Sequence, residues 1–102
     1  MIVVRFKIRC QPPRTAEVSA AMRDVAVAAR GVAGVIHFDV ARDLVEEDAL
    51  VATEVFEDRD AMAREEALPE VARVVELMRS GALAEKPEWT IYEVASAESP
   101  QM

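Results

Sequence analysis

Apolar and polar positions alternate along "IVVRFKIR", with Val4, Phe6 and Ile8 on one side and Arg5, Lys7 and Arg9 on the other. That is the period of a β-strand with one covered face. The following "QPPR" stops it, because Pro12 and Pro13 cannot donate to a ladder. The period then lengthens: Val18, Ala21, Met22, Val25 and Ala29 fall on one stripe of a helix. Thr15 is its expected N-cap, Glu17 suits the first turn, and Gly31 stands where a helix commonly ends. A second strand, "VIHFDVAR", sets Ile36, Phe38 and Val40 against His37 and Asp39. The acidic "DLVEED" then leads to a third, "ALVATEVFE". In that strand Val51, Thr53 and Val55 are read as facing the helices, and Leu50, Ala52, Glu54 and Phe56 as facing away. Asp58 or Asp60 starts another helix, and Pro69 breaks or restarts it. Val71, Val74, Val75 and Met78 form the next apolar stripe up to Gly81, and "EWTIYEVA" is a fourth strand.

The order βαββαβ predicts an α+β ferredoxin-like fold, a split βαβ plan with strands in order 4-1-3-2 and helices on one face. One domain covers residues 1–95, and "SAESPQM", residues 96–102, is expected to be a flexible tail. On the uncovered face, Arg5 and Lys7 are expected to pair with Glu54 and Glu93, at roughly 0.2–1 kcal/mol per cross-strand pair. Charges paired amid Leu50 and Phe56 suggest one half of a homodimer interface. The 52% hydrophobic content of the 102 residues points the same way.

A net charge of −7 argues against nucleic acid as a partner, since no Lys/Arg cluster offsets the repulsion of phosphates. Cys10 is the only cysteine and His37 the only histidine, so neither an internal disulfide nor a zinc site of known spacing is expected. No segment approaches the run of about 20 apolar residues that a membrane helix needs, and no signal peptide is evident. A cytoplasmic protein is expected.

Three stretches, "GVAGVIHFDVARD", "VATEVFEDRDAMAREEALPEV" and "WTIYEV", resemble the antibiotic biosynthesis monooxygenase family of dimeric α/β barrels. Gly34, Phe38, Asp39, Glu54, Phe56, Asp58 and Ala61 stand at the positions that carry the resemblance. It implies a dimer whose sheets pair into a barrel. It also implies a reaction in which a small aromatic or quinol-like substrate is oxidised by O₂ without metal, flavin or haem. The protein's share would be a dry pocket, a base and orienting donors. The chain departs from the family where a histidine is expected in the helix after the third strand; Arg64 or Glu65 stands there. It also has no asparagine, which sets it apart from the haem-degrading branch.

Four residues are therefore candidates for chemistry: Arg64, Tyr92, Glu54 and His37. Arg64 is either a solvated helix charge or a replacement for the family histidine, holding a phenolate by charge-assisted hydrogen bonds. Glu54 is either paired with Arg5 or Lys7, or a desolvated base with a raised pKa. His37 is either a rim residue or a base at a pocket edge, and it is the only available axial ligand for haem. Tyr92 is either a packing residue or a hydroxyl donor to an aromatic ligand. Met22, Met62 and Met78 are read as core filler that would also suit a malleable pocket wall. Cys10 is read as an inert thiol. Glu46, Glu47 and Asp48 are read as a solvated hairpin tip. The alternative to an enzyme is a non-catalytic dimer that binds a small aromatic ligand or serves as an accessory protein.

Overall fold

The structure, a computed structural model, describes residues 1–101. Its elements are β1 (Ile2–Arg9), a 3-10 turn at Pro12–Arg14, α1 (Thr15–Ala29), β2 (Val35–Arg42), β3 (Ala49–Phe56), α2 (Arg59–Glu66), α3 (Pro69–Arg79) and β4 (Glu88–Glu93). The four strands form one antiparallel sheet in the order β2-β3-β1-β4, which is the ferredoxin-like order read from the sequence. The helices lie on one side, with α1 packed on α3 and β2, and α2 on β2 and β3. β4 packs laterally on β1 and gains little helix cover.

The register assigns the faces. Ile2, Val4, Phe6 and Ile8 of β1 stand opposite Phe56, Glu54, Ala52 and Leu50 of β3. Ile2, Val4, Ile8, Leu50, Ala52 and Phe56 are all buried, so this is the helix-covered side. The expected facing of β3 is thus reversed: Leu50, Ala52, Glu54 and Phe56 turn toward the helices, and Val51, Thr53 and Val55 turn away. Both faces of "ALVATEVF" are largely apolar, so alternation could not choose between them. Pairing with β1 did, by burying the large Phe56 ring beside Ile2. In β2 the register shifts between Val35 and His37. That irregularity leaves Ile36 44% exposed instead of helix-facing, while Phe38 is buried and Val40 packs partly against the core. In β4, Trp89, Ile91 and Glu93 share the helix side. Trp89 meets its register partner Phe6 edge to face, with centroids 6.4 Å apart.

The apolar stripe of α1 is buried throughout. Its start differs from the expected cap: Arg14 is the N-cap, and Thr15 is the first helical residue. The buried Thr15 hydroxyl instead donates to Asp48 Oδ1 at 2.8 Å and ties α1 to the β2–β3 connection. Gly31 does not adopt a left-handed conformation; Gly34 and Gly81 do, at φ +86° and +85°. Asp58 caps α2, its Oδ1 accepting from the Ala61 amide at 2.9 Å. Pro69 sits in the first turn of α3, where its missing donor costs nothing, so the sequence makes two helices of one apolar run. α3 buries Val74 and Leu77, with Val71, Val75 and Met78 flanking them.

The open face of the sheet is charged but not as expected. Lys7 Nζ lies 3.0 Å from Asp43 Oδ2 and also contacts Glu46, while Arg9 Nε donates to Glu46 Oε1 at 2.7 Å. Arg5 faces Glu88 at 3.7 Å. Neither Arg5 nor Lys7 pairs with Glu54, which points to the other side of the sheet, nor with Glu93, which pairs with Arg59. The hairpin connection folds back over β1, so Glu46 is an ion-pair partner, not a solvated tip residue. Leu44 and Val45 are fully exposed at the turn itself.

Candidate functional site

The site starts from a backbone requirement at Gly34. Its φ of +86° disfavours any side chain, and a Cβ there would lie 2.6 Å from Ala61 Cβ. The segment before β2 can therefore touch α2 directly. Two further ties hold it: the Glu57 amide donates to the Gly34 carbonyl at 2.8 Å, and Arg64 Nη2 donates to the Ala33 carbonyl at 2.8 Å. At the other end, Arg59 Nη2 reaches Glu93 Oε1 of β4 at 2.6 Å. α2 is thus pinned across the sheet with Ala61 and Glu65 on its buried side. These residues are four apart, one helical turn on the same face.

Under α2 the sheet presents Glu54. Its register neighbours are Val4 on β1 and Phe38 on β2, both buried, and Ile91 continues the row on β4. Among the described residues no cation forms a salt bridge with Glu54 to offset its burial. Burial, reinforced by the nearby Glu65 and Glu66 carboxylates, pushes its carboxyl up to about 8. Glu65, 4% exposed, is pushed up to about 7 by burial and then by Glu66. Glu65 is thus one of the negative charges that disfavour ionisation of Glu54. A carboxyl raised to about 8, as Glu54 is, is mostly protonated at neutral pH and can donate a hydrogen bond. Once ionised, it is a stronger base than a solvated carboxylate and is better matched to a phenolic proton.

The four sequence candidates do not converge. Glu54 alone faces the helix side. Arg64 is exposed and its guanidinium is spent on the Ala33 carbonyl, so it serves as a clamp on the segment before β2. His37 and Tyr92 lie on the open face at opposite ends of one row, His37–Val55–Val3–Tyr92. Both are exposed, Tyr92 by 49%. Of the two residues standing where the resemblance led to the expectation of a helix histidine, Glu65 turns inward and Arg64 outward. Sequence reasoning named Glu65 beside Arg64 at that place but carried only Arg64 forward as a candidate. The signal of Glu65 was its spacing of four from the small Ala61, which marks the stripe where α2 comes closest to the sheet. Cys10 is buried, and burial raises its thiol, as suits an unreactive position.

Among the described residues no cluster of three or more His, Cys, Asp or Glu is placed to hold a metal ion, and no helix is long and apolar enough to cross a membrane.

Comparison with known proteins gives the same architecture. The fold superposes on a proposed antibiotic biosynthesis monooxygenase from Deinococcus radiodurans with a TM-score of 0.87 and 20% identity, covering 100% of both chains. Rv0793 from Mycobacterium tuberculosis matches at a TM-score of 0.85 and 15% identity, over 96% of this chain and 98% of that one. A further proposed antibiotic biosynthesis monooxygenase, from Nitrosomonas europaea, matches at 0.84 and 17%, over 94% of this chain and all of the other. Identities this low establish the fold alone. No curated protein matches the sequence. The profile of the antibiotic biosynthesis monooxygenase family, however, matches residues 1–77, three quarters of the chain, and the protein therefore belongs to that family.

Proposed function

We propose that the protein is a homodimeric monooxygenase that oxidises a small aromatic or quinol-like substrate with O₂ and no cofactor, using Glu54 as the base. The observation that carries this reading is the inward carboxyl pair Glu54–Glu65, raised to about 8 and about 7 beneath the helix that the family profile includes. Glu54 takes the phenolic proton, and the resulting phenolate is electron-rich enough to react with O₂. One oxygen atom becomes a new ring carbonyl and the other leaves as water. A phenol and O₂ thus give a para-quinone and H₂O without further reductant. Phe38, Val4 and Ile91 flank Glu54 and make its surroundings apolar, which favours transfer of a proton over a solvated ion pair. The homodimer is supported by exposed apolar residues around the sheet, including Ile36, Ile91, Trp89 and Tyr92.

Oxygen uptake with a panel of phenols and hydroquinones, measured after dialysis against EDTA, tests the reading. Uptake is expected above the protein-free rate, rising as pH passes from 6 to 9 while the pair ionises. Glu54→Gln should lower it on the order of a hundredfold and abolish that pH step. Unchanged uptake in Glu54→Gln removes Glu54 as the base. A monomer by sedimentation at micromolar concentration removes the dimer.

The clamp role of Arg64 and the outward positions of His37 and Tyr92 favour a second reading, a dimer that binds an aromatic ligand without turning it over. No uptake across the panel, with the dimer intact, selects that reading. Haem binding would need His37, and a Soret shift that is lost in His37→Ala would be its signature.

A further inference from the structure

We propose that the groove between α1 and the edge strand β2 binds a small organic anion, an apolar body carrying a carboxylate or phosphate group, through Arg23, Arg30 and Arg42. The groove has a volume of about 420 Å³ and shares no residue with the Glu54–Glu65 site. That is enough for a ring-sized ligand. Its lining brings three arginines and the Ser19 hydroxyl around Ala26, Val27, Val40 and Leu50, with no carboxylate among the lining residues. In a chain with net charge −7 and only 12 lysines and arginines, three guanidiniums on one groove are not the general surface composition.

The sequence builds this by helix spacing. Ser19, Arg23, Ala26 and Arg30 fall at intervals of four, three and four, a stripe of α1 running beside its buried one. β2, as the outer strand of the sheet, supplies Val40, Ala41 and Arg42 from across the groove. Arg30 is already oriented: its Nε donates to the Phe38 carbonyl at 3.0 Å and its Nη2 to Asp39 Oδ1 at 3.2 Å. Among the described residues, Arg42 Nη1 reaches only the Glu47 carbonyl, at 3.4 Å, and Arg23 has only its exposed neighbour Asp24, at 4.0 Å. Most of the donors of Arg23 and Arg42 are therefore available, and a guanidinium presents them in a fork that matches carboxylate or phosphate oxygens. The apolar floor contributes the second half of the specificity, since inorganic anions gain nothing from it.

The test uses the full-length protein and four probes followed by amide chemical shifts: naphthalene-2-carboxylate, phenyl phosphate, inorganic phosphate and uncharged naphthalene-2-carboxamide. Saturable shifts at Ser19, Val27 and Val40 are expected with one or both of the first two, and the better of these identifies the headgroup. Inorganic phosphate and the carboxamide should bind at least about tenfold more weakly. The double variant Arg23→Gln/Arg42→Gln changes only exposed side chains, so its melting temperature should stay unchanged while affinity falls about tenfold or more. No saturable shift in the groove with either charged aromatic overturns the proposal. Equal binding of the carboxamide, equal binding of inorganic phosphate, or full affinity in the folded double variant does the same.

Discussion

The two faces of the sheet carry charged side chains under opposite rules. On the open face each acid meets a cation. Arg9 and then Lys7 hold Glu46 down at about 2. The amides of Glu46 and Val45, with Lys7, hold Asp43 well below the carboxylate range. Glu46 and Asp43 in turn raise Lys7. On the helix-covered face Glu54 and Glu65 are taken out of water with other carboxylates as their charged neighbours, and both rise. Residue type is the same in the two places; the sign of the shift is set by what lies opposite. A cation or a donor stabilises the charged form, whereas desolvation and like charge penalise it. The open face therefore uses its carboxylates for architecture, and the covered face holds its carboxyls well above the usual carboxylate range.

The contrast is broken most severely at the joint that lets α2 cover Glu54. Gly34→Ala forces a left-handed alanine and drives a methyl into Ala61, and should cost about 3 kcal/mol by urea denaturation. Gly81→Ala has the same sign of φ but open space, so it should cost less than half of that. On the open face, Lys7→Ala removes the cation that Asp43 and Glu46 share and leaves them to Arg9 and the turn amides. It should lower the melting temperature by several degrees at pH 7 and by less at pH 2.5, where the acids of the unfolded chain are protonated and most of the stabilisation from the pairing is already lost.

A smaller effect of opposite sign separates the faces. Carboxyls raised from 4.5 to about 8 and about 7 stabilise the fold when protonated. That contribution is complete below pH 4.5 and is lost as pH rises through 7 and 8. The depressed acids Asp43 and Glu46 contribute above their ordinary values and lose that contribution as pH falls toward 2. Stability should therefore peak near about pH 5. Glu54→Gln should raise the melting temperature by a few degrees at pH 8.5 and leave it unchanged at pH 5; a drop at pH 8.5 would mean that Glu54 is paired in solution. The smallest effect is expected for Arg64→Ala, about 1 kcal/mol from losing its bonds to the Ala33 carbonyl.

Much of this protein was legible from short-range pattern. The α1 stripe, the cap at Asp58, the restart at Pro69 and the alternation of β1 each depend on residues within a turn or two of one another. The facing of β3 was not legible, because Leu50, Ala52 and Phe56 offer as good an apolar row as Val51 and Val55. Pairing across β1 chose between them and carried Glu54 inward. The partners of Lys7 were hidden for a related reason: Asp43 and Glu46 lie more than 30 positions away and reach it only because the hairpin folds back. Thr15 looked like a cap because its real partner, Asp48, is equally distant in sequence.

What the sequence alone determined was the order and type of the elements, the ferredoxin-like plan, and the family to which the resemblance pointed, since periodicity and turn chemistry are local properties. The tertiary structure alone decided which carboxyls are paired and which are stranded. Gly34 had to bring α2 against the sheet before Glu65 could be buried beneath it. A pKa depends on what surrounds a group in space, and no spacing along the chain records that.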